Sequence, residues 1–157
     1  MRALLFLCMT GVLSAQVLRV EQSFGGMECA SCADFVKNKL EKNPGVASVQ
    51  IDAQKGVVTV DLKPDGGVKP QLIRDWVQQS GYQIKETTLT VRGTVEMDRG
   101  VMSLNMGGAN KLILLDHDFL LREQVRRKVE LTGKLEKAKL GEASVEVLGV
   151  KTSKPAK

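Results

Sequence analysis

The amino-acid sequence predicts an α+β fold in two parts, a β-α-β-β-α-β unit followed by a smaller, mostly β unit. In the first half, segments of alternating apolar residues are separated by two segments with apolar residues at helical spacing. In the second half, short alternating segments are separated by glycine-containing turns. A chain of 157 residues is long enough for one medium domain or two small ones.

The first half shows its elements clearly. In chain order they are a strand at 16–23, a helix at 32–42, strands at 46–52 and 57–62, a helix from Pro70 to Ser80, and a strand at 82–87. Ala33, Val36 and Leu40 form the apolar stripe of the first helix, and Gly81 ends the second. This order is the ferredoxin-like arrangement, in which both helices cover one face of an antiparallel sheet.

The second half predicts a small barrel. Strands are expected at 89–97, 101–106, 111–115, 129–135 and 143–150, with a short helix between 116 and 125. Five short strands with a helix between the third and the fourth suggest an OB-like barrel. We therefore expect a first domain at 16–87, a second at 88–152 and a basic tail at 153–157.

The N-terminus predicts export. Arg2 precedes an apolar run from Ala3 to Leu13, and a small-residue cleavage site ends at Ala15. Residues 1–15 are therefore expected to be a signal peptide, which places the mature chain in the periplasm or outside the cell. The run is too short to span a bilayer, so no stable membrane insertion is expected after cleavage. An uncleaved N-terminal anchor is the alternative.

Charge and composition exclude several classes of function. The net charge of +5 would suit nucleic acid, but an exported protein rarely meets it, and aromatic residues make up only 4% of the chain, too few for a base-stacking surface. No nucleic-acid partner is therefore expected. We interpret the excess of lysines and arginines as a solvated basic surface. No catalytic set or phosphate loop is present, so we do not expect an enzyme.

A pair of cysteines, Cys29 and Cys32, is the strongest functional signal. They follow Gly26 and Met27 and are separated by two residues at the start of the first helix. Two thiolates suit a soft ion that accepts only two ligands, and Cu(I) is the first candidate. Zn(II) prefers four ligands, so the pair alone is a poor zinc site. The helix start favours the thiolate of Cys32. A C-x-x-C pair can also be a redox dithiol, half of a zinc site or a disulfide.

This motif, together with the order and spacing of the elements around it, resembles the heavy-metal-associated domain over roughly residues 16–86. The family includes copper metallochaperones, modules of copper-pumping ATPases and the periplasmic mercury-binding protein. The resemblance implies that Cys29 and Cys32 hold Cu(I), or alternatively Hg(II), that Met27 faces inward and props the loop, and that Tyr82 lies beside the metal. Tyr82 could equally be a packed residue at a helix end.

Several other residues each have two possible roles. Phe35 is expected to be exposed near the cysteines, where it could dock a partner, or else to pack on the second domain. His117, between two aspartates, is expected in a capping segment. Met97, Met102 and Met106 are potential copper ligands, but barrel core also uses such residues. We expect the core role, and no metal site in the barrel.

The sequence therefore predicts an exported metallochaperone that passes Cu(I) on by ligand exchange. Its expected partners are the metal ion and a metal-transporting ATPase or another metal-binding protein of the envelope. Two alternatives remain besides Hg(II) scavenging. One is a thiol–disulfide oxidoreductase, and the other is an interaction module in which the barrel binds another protein.

Overall fold

The computed structural model describes residues 16–25, 30–64, 66–107, 110–116, 118–140 and 143–156. Its elements are β1 (Gln16–Gly25), α1 (Ala30–Glu41), β2 (Val46–Asp52), β3 (Val57–Leu62), α2 (Pro70–Gln79), β4 (Gln83–Asp98), β5 (Val101–Asn105), β6 (Lys111–Leu115), a 3-10 turn (Arg122–Gln124), β7 (Lys128–Leu140) and β8 (Ala143–Pro155). The predicted signal peptide lies outside the described residues. Within them, every helix is too short or too polar to cross a bilayer.

The first six elements form the predicted ferredoxin-like arrangement. The strands follow the order β2-β3-β1-β4, and all of these pairings are antiparallel. Both helices pack on this sheet and on each other. Val36 and Leu40 of α1 are buried, as are Ile73 and Val77 of α2, because their spacing places them on the side of each helix that faces the sheet.

Gly81 ends α2 as the sequence predicts. Its backbone N–H donates to the carbonyl of Gln78 at 2.9 Å, and its φ of +88° lies in the left-handed region. Glycine adopts that conformation without the steric cost that a Cβ would bring. The turn brings Tyr82 into the core at the start of β4.

The remaining strands close a five-strand barrel in the order β4-β5-β6-β8-β7, with β7 returning to β4. β6 and β8 run parallel, and the other neighbours are antiparallel. The mostly β second half that the glycine-separated strands predicted is therefore present. Its strands β7 and β8 are longer than predicted.

One strand, β4, belongs to both halves. It runs unbroken for 16 residues, where the sequence pattern predicted one strand ending at 87 and another starting at 89. It pairs with β1 over 83–92 and with β7 over 88–94. The predicted boundary between residues 87 and 88 therefore falls inside a strand that is paired on both edges.

Gly93 marks the point on β4 where one neighbour replaces another. Along β4, the pairing with β1 stops at Arg92, opposite Gln16, and the pairing with β5 starts at Thr94, opposite Asn105. A Cβ on Gly93 would lie 2.5 Å from the carbonyl oxygen of Asn105 on β5, closer than any side chain tolerates. The absent side chain lets β5 approach there, so the barrel follows the first sheet without a linker.

Two further predictions about the second half differ from the structure. The expected helix between 116 and 125 is only the 3-10 turn, because the carboxylate of Asp116 accepts the backbone N–H groups of Leu120 and Leu121, both at 2.8 Å, and holds a loop instead. Residues 153–155, predicted as part of the tail, are paired in β8. There Lys154 forms an ion pair with Glu130 at 2.8 Å.

Hydrophobic packing continues from one half to the other. A single cluster of buried side chains contains Val20 and Val60 of the first sheet and Leu131 and Leu148 of the barrel. Leu89 and Val91 on β4 belong to the same cluster. The two halves therefore share a core along the strand that they share.

Candidate metal centre

Cys32 is the half of the predicted ligand pair that the structure describes. It lies in the first turn of α1, partly buried against the hydrophobic core. It is disulfide-bonded. The other two cysteines of the chain, Cys8 and Cys29, lie outside the described residues, as does Met27.

The start of α1 suits a thiolate once that disulfide is reduced. The N–H groups and the dipole of a helix N-terminus stabilise negative charge, and the thiolate is the form of cysteine that binds a metal ion. None of the residues in the first turn of α1 is acidic, so no carboxylate in that turn opposes the effect. The reduced Cys32 is therefore suited to bind a metal ion as a thiolate.

Tyr82 packs beneath the strand that leads into the cysteine motif. It is only 6% exposed, and its ring centroid lies 5.4 Å from that of Phe24, with the planes tilted by 46°. Phe24 is the penultimate residue of β1 and comes five residues before Cys29. These contacts make Tyr82 a packed aromatic residue that supports the end of β1. Its predicted position beside a bound metal stays a prediction.

Phe35 is an exposed aromatic residue close to Cys32. It follows Cys32 by three positions, which places the two on neighbouring turns of the same side of α1. Its side chain is 61% exposed, so the alternative in which it packs on the barrel is wrong. The adjacent Val36 is buried and holds α1 on the sheet.

A buried polar link fastens β1 to β4 near the motif. Gln22 is fully buried, and its side-chain amide donates to the backbone carbonyls of Ser23 and Glu86, both at 2.8 Å. The hydroxyl of Thr87 donates to the Gln22 carbonyl oxygen at 2.6 Å. The sequence carried a signal for this link, because Gln22 alternates in phase with Val20 and Phe24, which face the core.

The other candidates lie in the barrel. His117 is outside the described residues, so the expectation for it stays a prediction. The neighbouring Asp116 accepts backbone N–H groups of a loop and not of a helix start. Met102 and Met106 are partly buried against the core, but Met97 is 51% exposed, so the expected core role is wrong for Met97. Among the described residues, no three or more His, Cys, Asp or Glu side chains cluster closely enough to hold a metal ion.

Comparison with known proteins identifies the family. The model of the heavy-metal-associated domain matches residues 23–83, which include both Cys29 and Cys32. The Copper chaperone CopZ of Staphylococcus haemolyticus is 31% identical over 70 residues, which are 45% of this chain and 96% of the relative. The chain belongs to the heavy-metal-associated domain family. The domain accounts for the first half of the chain, and the barrel is additional to it.

Further similar proteins match the same half. The Copper chaperone CopZ of Staphylococcus saprophyticus is 29% identical over 73 residues, covering 46% of this chain and all of the relative. The N-terminal domain of a potential copper-translocating P-type ATPase from Bacillus subtilis, in the Cu(I)-loaded state, is 29% identical, with 44% of this chain and 85% of that chain covered and a TM-score of 0.40. The family assignment rests on the sequence matches alone.

Proposed function

We propose that this heavy-metal-associated protein is an exported carrier that holds one Cu(I) ion between the thiolates of Cys29 and Cys32. The observation that carries the proposal is the family match across both cysteines, with copper chaperones among the relatives. The placement of Cys32 at the start of α1 supports it, because the helix terminus favours the thiolate that a soft ion needs.

Transfer would proceed by ligand exchange. A thiolate of the partner bonds to Cu(I), giving a crowded three-coordinate species, and one of the two original sulfurs then leaves and takes up a proton. The ion stays Cu(I) throughout, so no oxidant or reductant is consumed. The partner that fits this chemistry is a metal-transporting ATPase or another metal-binding protein of the envelope, and the exposed ring of Phe35 beside Cys32 offers it an apolar contact.

The disulfide at Cys32 adds a condition to the carrier function. A disulfide sulfur has no thiolate to offer, so the disulfide of Cys32 must first be reduced by two electrons and two protons before Cys32 can bind a metal ion. An oxidising compartment outside the cytoplasm keeps such pairs closed. The carrier would therefore load Cu(I) only where a reductant has opened the pair.

Titration with Cu(I) against a competing chelator tests the proposal. Reduced protein should bind one ion tightly, and Cys29→Ser and Cys32→Ser should each abolish this tight binding, because a single thiolate cannot hold the ion against the chelator. Oxidised wild-type protein is the matched control, since it has the same sequence and should also lack the tight site. Binding in the double serine variant as tight as in the reduced wild type would place the carrier site elsewhere.

The same titration addresses Hg(II). Both ions are soft and accept two thiolates, so a scavenger of Hg(II) would use the same pair. Parallel titrations with Cu(I), Hg(II) and Zn(II) rank the ions. A higher affinity for Zn(II) than for Cu(I) would contradict the carrier proposal, because two thiolates leave a tetrahedral ion half-coordinated.

A redox role is the second candidate, and the disulfide at Cys32 is the observation that favours it. A catalyst of thiol–disulfide exchange needs a reduction potential near that of its compartment, whereas a structural disulfide lies far below it. Measurement of the potential against glutathione separates the two. A value near the compartment's potential, together with weak Cu(I) binding, would favour the oxidoreductase.

Export and the class of the barrel are also part of the proposal. A mature chain that starts at Gln16 outside the cytoplasm is expected, and mass analysis of the N-terminus in native fractions tests it, since Met1 in a cytosolic fraction would contradict export. For the barrel, the parallel β6–β8 pair and the turn before β7 support an OB-like classification. In that case the barrel could serve as a second interaction surface.

A further inference from the structure

Met97 is on the same face of β4 as a row of inward-facing residues, but its side chain is exposed at the end of the barrel. Val91, Gly93 and Val95 alternate along the strand and are buried. Met97 is next in the same phase, yet 51% of it is exposed. It therefore lies at the mouth of the barrel, where the wall ends and its thioether can be reached from solvent.

A second thioether lies beside Met97 on the neighbouring strand, on the same face of the sheet. Met102 on β5 is its direct partner in the β4–β5 register. Directly paired residues point to the same face, with Cβ atoms about 4.5–5.5 Å apart, and two flexible methionine side chains at that separation can bring their sulfurs onto one ion. Met102 is partly buried and packs on the core, so one of the two ligands is anchored.

The two methionines line an open cavity of about 370 Å³. It forms because β5 and β6 are paired only from Ser103 to Asn105 on the β5 side and separate beyond that point. Leu114 and Phe119 complete its apolar wall. The charged side chains of Asp116 and Arg122 also line it, so the mouth is mainly apolar, open to solvent and carries one charge of each sign.

Phe119 is held over this mouth at a conformational cost. Its φ is +54°, a left-handed conformation that is unfavourable for a bulky residue, and the residue is 62% exposed. The guanidinium of Arg122 lies 4.1 Å from the ring centroid. This cation–π contact holds the Phe119 ring at the edge of the cavity.

We propose that Met97 and Met102 form a second site for a soft monovalent ion, Cu(I), at the mouth of the barrel. Thioether sulfur selects Cu(I) over harder ions. Binding forms two dative bonds from sulfur to Cu(I) and breaks the bonds to two weakly held ligands of the incoming ion, which leave into solvent. No electron is transferred and no proton is released. The sequence pattern predicted a barrel without a metal site because it placed these methionines in the core, and the exposure of Met97 removes that reason.

This site goes beyond the proposed function and does not depend on the cysteines. Met97 lies fourteen residues along β4 from Gln83, which pairs with Gly25 next to the cysteine motif. At about 3.3 Å per residue the stretch of strand between them is about 46 Å long, so the two positions lie at opposite ends of β4. Thioethers also form no disulfides, so this site would keep its ligands while Cys32 is disulfide-bonded.

The test uses the full chain with Cys29→Ser and Cys32→Ser, which removes the first site. The chain is labelled with ¹³C at the methionine methyl groups and titrated with Ag(I), an air-stable substitute for Cu(I), and then with Cu(I) itself. The methyl signals of Met97 and Met102 should shift together and saturate at one ion per chain, while that of Met106 stays in place. The affinity should be the same from pH 5 to 8, because no proton competes for a thioether.

Leucine variants decide the ligands. Met97→Leu and Met102→Leu keep nearly the same side-chain volume and should each weaken binding at least tenfold. Met106→Leu, just beyond the end of β5, is the matched control and should bind as before. Unchanged affinity in the Met97→Leu, Met102→Leu double variant, equal shifts of all methionine signals, or an affinity that rises with pH would each overturn the proposal. None of these results bears on the cysteine site.

Discussion

Arg74 on α2 donates a hydrogen bond to Glu146 on β8, and the distance between Nη2 and Oε1 is 2.8 Å. Gln71, also on α2, donates to the other carboxylate oxygen at 2.5 Å. The two charged side chains are about three-quarters buried, with exposures of 27% and 28%. This contact joins the metal-binding half to the barrel at a point well removed in sequence from the strand that they share.

Glu146→Gln should lower the free energy of unfolding by about 1 kcal/mol. The variant keeps the shape of the side chain but removes the charge that strengthens both hydrogen bonds, and partly exposed pairs of this kind contribute on that scale. Urea unfolding followed by circular dichroism measures the change. Glu41→Gln is the matched control, because its ion pair with Lys37 is exposed and 3.9 Å long. If Glu41→Gln lowered the free energy of unfolding as much as Glu146→Gln does, the contact between Arg74 and Glu146 would have no specific role in stability.

The protein should lose stability at acid pH through the same carboxylate. Burial alone would raise the pKa of Glu146, but the hydrogen bonds from Arg74 and Gln71 outweigh it and hold the pKa below its ordinary value of 4.5. A carboxyl group with a depressed folded-state pKa contributes stability above the unfolded-state value, and this stability is lost as the pH falls through the folded-state value. The free energy of unfolding should therefore fall progressively below pH 4.5.

A second carboxylate adds to the acid sensitivity. The pKa of Glu130 is lowered by its hydrogen bond to Lys154 and further by Arg92. Urea unfolding at a series of pH values between 7 and 3 gives the profile. The profile of Glu146→Gln should be less steep than that of the wild type in this range, and identical slopes would show that the group does not titrate with folding.

Phe35→Ala should leave stability unchanged within about 0.5 kcal/mol, because an exposed side chain contributes little to the folded state. Val36→Ala, at the next position, is the matched comparison and should cost about 1–3 kcal/mol by removing buried methyl groups. Urea unfolding of both variants is the measurement. If Phe35→Ala destabilised the chain as much as Val36→Ala, the ring would be part of the packing and not a free surface for a partner.

The two halves should unfold in one cooperative transition. Trp76 is the only tryptophan and reports on the metal-binding half, whereas far-ultraviolet circular dichroism reports on all strands. The two signals should give the same urea midpoint, because β4 and the buried cluster are common to both halves. A chain cut between residues 87 and 88 should yield two unstable pieces, since the cut divides β4. Two separate midpoints in the intact chain would contradict this coupling.

The parts of the fold that the sequence predicted well are those with local signals. The hairpin strands Val46–Asp52 and Val57–Leu62 occur at the predicted residues, because alternation and a glycine turn define both. The continuity of β4 was missed, because polar residues from Lys85 to Thr88 interrupt the apolar pattern. What holds that stretch in a strand is pairing with β1 and β7, which are distant in sequence.

The candidate sites differ in the same way. The cysteine motif could be recognised because its C-x-x-C spacing occurs together with the order of the elements around it, and the family match covers this stretch. The role of the two cysteines as metal ligands stays a prediction. Met97 was misplaced because alternation gives the face on which a residue lies but not where the barrel wall ends. The left-handed Phe119 had no sequence signal, because its conformation depends on the loop that Asp116 holds.

The strand common to both halves also determines how a partner meets the metal-binding end. Domains strung on flexible linkers can search the volume around a tether, which raises their local concentration at a neighbouring acceptor. Here β4 passes from one half into the other without a tether. In the proposed transfer, the metal-binding end would therefore reach an acceptor only by diffusion and rotation of the whole molecule. Such an acceptor would have to accommodate the bulk of the barrel as it docks, so shape exclusion would limit which acceptors receive the ion.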